Sequence, residues 1–428
     1  MFDLIVKGGT LPDGTVADIG IKGDRIAAIE NLGAAQAGEV IEATGDLVSP
    51  PFVDPHFHMD ATLSYGTPRI NASGTLLEGI ALWGELKQIV TVDEMVDRAL
   101  AYCDWAVSMG LLAIRSHVDT CDDHLLGVQA LLEVRDKVKD YIDLQLVAFP
   151  QDGFYRDPTA RANTLRALDM GVDVVGGIPH FERTMADGAA SVRELCKVAA
   201  DRGLMIDLHC DETDDPMSRH IETLAAETIR CGLQGRAAGS HLTSMHSMDN
   251  YYVSKLLPLM AEAEVAAIPN PLINITLQGR HDTFPKRRGL TRVKEMQAYG
   301  IRVGWGQDCV RDPWYSLGTA DMLDVAFMGL HVAQMTHPGE MRRCFDMATS
   351  ESARIMNLPD YGLTVGAKAS LVVLDAGDPV EALRLRPDRL CVISKGKVVS
   401  RKSRNDAQLS IAGRPASVMR RHSPLQHR

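Results

Sequence analysis

Residues 47–58 read Leu47-Val48-Ser49-Pro50-Pro51-Phe52-Val53-Asp54-Pro55-His56-Phe57-His58, an apolar run that ends in two histidines. In a β-strand, residues i and i+2 point to the same side. A strand over this run therefore presents His56 and His58 side by side at its end, which suits the chelation of one transition metal ion. The pair alone is a weak signal, because two histidines at a strand end are often polar rim residues.

Three later stretches repeat this pattern of an apolar segment that runs into a histidine or an aspartate. They are Ile206-Asp207-Leu208-His209, Gly239-Ser240-His241 and Val303-Gly304-Trp305-Gly306-Gln307-Asp308. Three imidazoles and one carboxylate, from His56, His58, His209 and Asp308, form a suitable ligand set for a single zinc or ferrous ion. Such an ion lowers the pKa of bound water towards neutrality and so generates a nucleophile.

Length and composition favour a soluble globular protein over a nucleic-acid-binding or membrane protein. The chain has 428 residues, enough for a large core and a smaller module. Its net charge of −11 argues against a nucleic-acid backbone or an anionic membrane as partner. No stretch reaches the roughly 18 apolar residues of a membrane span, and no signal peptide is evident. The eight cysteines form no CxxC pair, which predicts reduced thiols and a cytoplasmic location.

The distribution of strands predicts two modules. Short β-strands punctuated by glycine turns occupy residues 1–50 and return in residues 361–404, and together they can pair into one small β-sandwich. Between them, residues 51–360 alternate eight apolar strands with amphipathic stretches, which predicts an α/β fold of the TIM type, a (β/α)8 barrel. Such barrels carry catalytic groups at the carboxyl ends of their strands. Residues 405–428 are polar and predict a loosely held tail.

Two further residues have the position expected of catalytic groups. His241 closes the sixth barrel strand, and we expect it to stabilise and orient hydroxide rather than to bind the metal. Glu212 follows His209 by three residues, where a carboxylate suits the transfer of a proton to a leaving group. Asp211 is the alternative candidate for this proton transfer, and the position of both residues in a loop does not decide between them.

No catalytic or metal-binding role is predicted for three other histidines. His246 lies beyond the sixth strand, and His117 and His180 sit at strand ends as rim or supporting residues. The fourth strand ends in Gly177-Ile178-Pro179-His180, without the lysine that bridges two ions in many such barrels. One divalent metal ion is therefore the expected cofactor.

Several sequence segments together match the motifs of a known protein family. They are Pro55-His56-Phe57-His58-Met59-Asp60, residues 71–80, Val147-Ala148-Phe149-Pro150-Gln151-Asp152-Gly153, Asp207-Leu208-His209-Cys210-Asp211-Glu212, residues 240–247, Leu277-Gln278-Gly279-Arg280 and Asp312-Pro313-Trp314-Tyr315. In these segments the chain resembles the amidohydrolase superfamily, and more narrowly the bacterial cytosine deaminases, over nearly its whole length before the tail. The resemblance implies the barrel with its sandwich, hydrolytic removal of an exocyclic amine as ammonia, and Glu212 as the proton shuttle.

The same resemblance implies how a base is bound. Gln151 should read it, because an amide offers both a donor and an acceptor to a pyrimidine. Leu76, Phe149 and Trp314 should form apolar walls around a flat ring. The partner implied is a small-molecule nucleobase, with no nucleic acid or membrane, and the enzyme should be a homo-oligomer such as a hexamer.

One departure from the pattern bears on specificity. The family carries two consecutive aspartates after the eighth strand, whereas this chain has Asp308-Cys309. A neutral, softly apolar Cys309 near C5 of the ring should make room for a methyl group and remove the cost of desolvating a carboxylate. We therefore predict deamination of 5-methylcytosine to thymine alongside cytosine to uracil. Gln307 also departs from an expected histidine, and nothing firm follows from it.

Two alternative functions stay open at this point. The same site could act on another aminated heterocycle or a cyclic amide, such as isoguanine or a triazine. The other alternative is a metal-binding barrel without catalysis. Glu212 argues against it, because a binding module needs no proton shuttle.

Overall fold

The computed structural model describes residues 1–404, 407–414 and 417–418. Within the predicted tail, residues 405–406, 415–416 and 419–428 lie outside the described residues, so its looseness stays a prediction. The strands, in chain order, are β1 (Phe2–Thr10), β2 (Val16–Lys22), β3 (Arg25–Glu30), β4 (Ala37–Glu42), β5 (Leu47–Ser49), β6 (Phe52–Phe57), β7 (Leu111–Asp119), β8 (Asp143–Phe149), β9 (Val174–Gly177), β10 (Met205–Cys210), β11 (Ala237–His241), β12 (Ala266–Ile268), β13 (Leu371–Leu374), β14 (Arg389–Ser394), β15 (Lys397–Arg401), β16 (Ala407–Gln408) and β17 (Ser417–Val418).

The helices, in the same order, are α1 (Leu76–Lys87), α2 (Val92–Ser108), α3 (Leu126–Val138), α4 (Ala160–Asp169), α5 (Met185–Arg202), α6 (His220–Cys231), α7 (Asn250–Glu262), α8 (Pro271–Leu277), α9 (Val293–Ala298), α10 (Met322–Val332), α11 (Pro338–Met347), α12 (Ser350–Ile355) and α13 (Pro379–Leu385). Short 3₁₀ turns cover Pro179–Phe181 and Thr243–His246.

Strands from the two ends of the chain form one sheet. Its order is β15-β14-β13-β5-β1-β2-β3, and β4 branches from it by pairing parallel to β1. β5 joins the two halves, because it contacts β1 on one side and runs antiparallel to β13 on the other. Apolar side chains from both halves, such as Ile19, Ile21, Leu371 and Ile393, share one core. The prediction that the distant chain ends build one small β module is confirmed.

The middle of the chain forms the barrel. Strands β6 to β12 make a parallel sheet in sequential order. The predicted eighth strand makes only isolated bridges, at Ala267↔Val303 and Phe57↔Asp308. Backbone bonds nevertheless close the ring, since Gly304 N–H donates to Ala267 O (3.0 Å) and Asp308 N–H to His56 O (2.8 Å). The predicted barrel is confirmed, with an irregular segment in its eighth position.

The helices cover the barrel for reasons visible in the sequence. In α5 the buried residues Val192, Leu195, Cys196 and Ala199 recur at helical spacing and form its inner face. The helix ends at Gly203, whose φ of 68° suits the left-handed C-cap. Among the helices of the described residues, none has the length and apolar character needed to cross a membrane.

The apolar run at residues 47–53 is not one strand, which corrects the sequence interpretation. Pro50 and Pro51 divide it, so that β5 belongs to the β module and β6 to the barrel. Proline lacks the N–H that a strand ladder needs, so a break at this pair is expected. His56 lies in β6 and His58 directly follows it, and their ring centroids are 5.5 Å apart. The predicted side-by-side placement of the two imidazoles therefore holds.

Candidate active site

Four predicted ligands meet at the carboxyl end of the barrel. His58 Nε2 lies 3.1 Å from His209 Nε2, at the end of β10. Asp308 Oδ1 lies 3.5 Å from His58 Nε2 and 3.7 Å from His56 Nε2. All four side chains are buried. Residues up to 252 positions apart in the chain thus converge on one point.

This cluster has the chemistry of a metal site. One ring nitrogen from each of His56, His58 and His209 lies within 4.8 Å of the others, and His56 Nε2 is buried without a hydrogen-bond partner among the described residues. Burial lowers the pKa of His58 to about 3 and lowers the pKa of His56 and His209 well below the usual value. The imidazoles are therefore neutral and offer lone pairs. The donor set fits one divalent metal ion.

A buried chain of hydrogen bonds orients His56. Arg115 pairs with Asp207 at 3.0 Å, and the Ser240 hydroxyl donates to the other Asp207 oxygen at 2.7 Å. Since the single Ser240 proton is used there, its oxygen accepts from His56 Nδ1–H at 2.8 Å. The proton of His56 is thus on Nδ1, which leaves the Nε2 lone pair directed at the cluster.

Asp211 and Glu212 have different surroundings in the structure. The Asp211 carboxylate is taken up by local structure, because it accepts from the Ser218 hydroxyl (2.6 Å) and from the Ile221 backbone N–H (2.9 Å) at the start of α6. Glu212 instead lines the cavity beside the cluster, with Oε1 3.5 Å from His241 Nδ1. Burial raises the pKa of Glu212, which favours a carboxyl group that can hold a proton near neutral pH.

His241 and Asp308 share an unusual backbone. Each is the centre of a three-residue turn with positive φ, 68° at His241 and 67° at Asp308. The turns are closed by Leu242 N–H to Ser240 O (3.0 Å) and by Cys309 N–H to Gln307 O (2.9 Å). Non-glycine residues hold this strained conformation only when their surroundings enforce it. The turns bring the two side chains together, with Asp308 Oδ2 3.7 Å from His241 Nδ1. Burial and the Glu212 carboxylate raise the pKa of Asp308.

A small cavity opens beside the cluster, with about 300 Å³ of empty space including its mouth. Its walls comprise His58, Leu76, Gln151, His209, Glu212, His241, Ile273, Leu277, Asp308, Cys309 and Trp314. Four of the five residues predicted to contact a substrate are therefore brought together there. Phe149 is not part of this lining, because its ring stacks on His209 with centroids 4.1 Å apart and supports that imidazole from behind. Its direct contact with a substrate stays a prediction.

Cys309 contributes a neutral thiol to this wall. It is 3% exposed, its Sγ lies 3.4 Å from Asp308 Oδ1, and burial raises the pKa of the thiol well above the usual value. Asp312 stands behind it and accepts the backbone N–H groups of Trp314 and Tyr315, each at 2.9 Å. Burial raises the pKa of Asp312 to about 6.

Several residues at the site were missed by sequence reasoning. They are Arg115, Asp207 and Ser240 behind His56, Asn270 and Asn274 behind His241, and Ile273 and Leu277 in the wall. Asp207 and Ser240 carried a weak signal, as polar residues inside buried strands. The asparagines carried none, because only the fold brings α8 beside β11. His117 lies close to His56, with ring centroids 4.2 Å apart, and His246 lies 3.5 Å from Asp214.

A closed parallel barrel with three imidazoles and a carboxylate at its carboxyl end is an arrangement suited to metal-assisted hydrolysis. Residues 39–400 match the Amidohydrolase family, and the chain belongs to that family. The chain is thus a hydrolase of the type that acts on C–N bonds.

Several known proteins resemble the chain over most of its length. The solved structure of 5-methylcytosine deaminase from Klebsiella pneumoniae, liganded with 5-fluorocytosine, is 41% identical, with a TM-score of 0.92 over 95% of this chain and 99% of that one. The N-isopropylammelide isopropyl amidohydrolase of Pseudomonas sp. (strain ADP) is 31% identical over 93% of this chain and 97% of its own length. The pterin deaminase of Rhizobium rhizogenes is 30% identical over 90% and 88%.

Proposed function

We propose that the chain hydrolyses the exocyclic amine of a free pyrimidine base, converting 5-methylcytosine to thymine and cytosine to uracil with release of ammonia. The observation that carries this proposal is the likeness to the 5-methylcytosine deaminase, at 41% identity over 95% of the chain. The neutral Cys309 in the cavity wall supports it independently, since it offers an apolar surface to a 5-methyl group.

Four side chains would hold the cofactor. We assign His56, His58, His209 and Asp308 as ligands of one divalent ion, zinc or iron. When bound, the ion supplies acidification of water, so that hydroxide is available near neutral pH. Ser240 and Phe149 hold two of the imidazoles in place through the contacts described above.

The remaining polar groups would move protons and orient the reactants. Glu212 takes a proton from the attacking water and delivers it to ring N3, while the oxygen adds to C4. His241 and Asp308 orient this oxygen. Asp308 then carries the hydroxyl proton to the amine, and the C4–N bond breaks to release ammonia and a C4 carbonyl. These steps add one water and remove one ammonia, so atoms and charge balance.

The cavity walls would select the base. Gln151 can accept from a ring N–H and donate to the neighbouring carbonyl through its two amide ends. Leu76 and Trp314 flank the flat ring, and Cys309 lies beside C5. The cavity suits a small molecule. Assembly into a homo-oligomer is a separate prediction, which light scattering on the purified protein tests.

A second candidate is amine hydrolysis on a different heterocycle. The 31% and 30% identities to the N-isopropylammelide amidohydrolase and the pterin deaminase support it, because these relatives share most of the chain. The two candidates differ in the ring that the cavity walls accept.

One substrate panel tests both candidates. Metal-loaded protein is assayed for ammonia release and product mass with cytosine, 5-methylcytosine, isoguanine, N-isopropylammelide and pterin. The pyrimidine proposal predicts thymine from 5-methylcytosine with a higher kcat/KM than for any non-pyrimidine. Turnover confined to the other rings would establish the second candidate, and no turnover with metal bound would indicate a non-catalytic barrel.

A further inference from the structure

Two buried asparagines flank His241 in a way that the proposed reaction does not yet use. Asn270 follows β12 and Asn274 lies in α8, and both are completely buried. Asn274 Nδ2 is 2.9 Å from His241 Nδ1. A buried amide so close to an active-site imidazole constrains where the imidazole carries its proton.

The orientation of the Asn274 amide is fixed independently of His241. The backbone N–H of Asn270 donates to Asn274 Oδ1 at 3.0 Å, and an N–H can be accepted only by the oxygen end of an amide. The NH₂ end of Asn274 must therefore face His241. Because an amide NH₂ has no lone pair to offer, His241 Nδ1 must be the acceptor and cannot carry a proton.

The nearby carboxylates do not overturn this arrangement. Glu212 Oε1 and Asp308 Oδ2 lie 3.5 and 3.7 Å from Nδ1, beyond the usual length of an N–H···O bond. A proton on Nδ1 would instead face the Asn274 NH₂ group at 2.9 Å, a separation too short to admit a water between the two donors.

Asn270 completes the arrangement. Its Nδ2 lies 3.3 Å from His241 Nδ1 and 3.4 Å from His241 Nε2, so it also presents a donor to Nδ1. A donor beside Nδ1 is a second reason for that nitrogen to carry no proton. Both contacts are long, so Nε2–H stays available to an oxygen in the cavity.

From this network we infer that Asn274 is a positioning residue that holds His241 as the neutral imidazole with its proton on Nε2. The inference rests on the proposed function for its catalytic meaning. It makes His241 a hydrogen-bond donor to the attacking oxygen, not a base and not a cation. It also occupies the Nδ1 lone pair, which keeps His241 out of the metal's ligand set although it lies within reach of His56 and Asp308.

The decisive readout is the tautomer itself. Zinc-loaded protein is labelled with ¹⁵N-histidine, and the His241 signals are assigned by their loss in His241→Asn. We expect an unprotonated Nδ1 and a protonated Nε2 in the substrate-free wild type. A protonated His241 Nδ1 in the wild type overturns the inference, whether or not any variant folds.

Asn274→Asp then tests the role of the amide. One carboxylate oxygen still accepts the Asn270 N–H, but the other replaces the NH₂ group and attracts a proton to His241 Nδ1. We expect the Nδ1 signal to become that of a protonated nitrogen, and kcat to fall on the order of 10- to 100-fold with KM and metal content little changed. Thr276→Ala, on the same helix but outside the cavity, should leave both readouts unchanged.

An unchanged tautomer and kcat in Asn274→Asp would also overturn the inference. The NMR measurement needs no substrate, so it separates this inference from the proposed function. Absence of turnover with every pyrimidine, together with an Nε2-protonated His241, would count against the proposed function alone.

Discussion

The Nε2 atoms of His58 and His209 lie 3.1 Å apart although the residues are 151 positions apart in the chain. Burial keeps both imidazoles neutral, so two lone pairs face each other unless a proton or a cation lies between them. A bound cation is the arrangement that also uses His56 and Asp308.

Removal of the ion should therefore abolish activity. We expect a chelator to leave the protein inactive and to lower its Tm, because the ligand stabilises only the folded state. One equivalent of zinc or iron per chain should restore both, as measured by calorimetry and elemental analysis. His209→Ala should lose the ion, whereas His246→Ala should keep it. A stripped protein with full activity would contradict the assignment.

Ser240→Ala should weaken metal binding without unfolding the protein. The substitution removes the acceptor of His56 Nδ1–H and frees the ring to rotate or change tautomer. We expect metal affinity to fall about 10- to 100-fold in competition with a chromogenic chelator. Ser244→Ala is the control, because that buried hydroxyl donates to Ser218 O at the same end of the barrel. Equal affinities in the two variants would count against the role of Ser240.

Glu212→Gln should lower turnover, whereas Asp211→Asn should lower the stability of the fold. Glu212→Gln keeps the fold and the ion but loses the proton shuttle, and we expect kcat to fall about 10²- to 10⁴-fold. Asp211→Asn weakens the contacts that begin α6, and we expect a loss of about 1–3 kcal/mol in the free energy of unfolding. Enzyme kinetics and denaturant titrations separate the two effects. Near-normal turnover of Glu212→Gln would remove it from the mechanism.

Cys309→Asp should lower the preference for 5-methylcytosine over cytosine. A carboxylate in place of the thiol would crowd the methyl group. It would also lose its hydration against that group, which costs free energy. Burial of one methyl is worth about 0.8 kcal/mol, or roughly fourfold in kcat/KM, so a larger change reflects removal of the clash. The ratio of the two kcat/KM values is the measurement, with Cys196→Ser on α5 as the control. An unchanged ratio would refute the specificity argument.

Asp312→Asn should remove a pH dependence of stability. Because burial raises the pKa of Asp312 to about 6, the folded state binds more protons than the unfolded state between about pH 4 and 6. Its contribution to stability therefore falls as pH rises through this window, by about 1.4 kcal/mol per pH unit. The variant keeps an oxygen for the two backbone N–H groups and does not titrate. In urea titrations, we expect the free energy of unfolding of the variant, relative to that of the wild type, to increase from pH 4 to 6 and to stay constant above pH 7. A constant difference across both ranges would refute the pKa shift.

Periodicity in the sequence predicted the elements that depend on local pattern. The alternating apolar strands, the helix faces such as that of α5, and the His56-Phe57-His58 spacing all follow from periods of 2 and 3.6 residues. The candidate ligand residues could be named because each stands at the end of an apolar strand, and parallel barrels gather such ends at one rim. The division of the run at Pro50-Pro51 was also readable in principle, from the chemistry of proline.

Only the tertiary structure distinguishes the surroundings of Asp211 and Glu212, since neighbouring carboxylates look alike in sequence until one is bound by the start of α6. It also placed Asn274 against His241 and Ser240 against His56, and set Phe149 behind His209 instead of in the cavity wall. Hydrogen bonds between residues far apart in sequence leave no local period, because their geometry depends on how helices and strands pack. The chain's own pattern thus specified a barrel with candidate metal ligands at its rim, while packing determined which polar groups lie beside each of them.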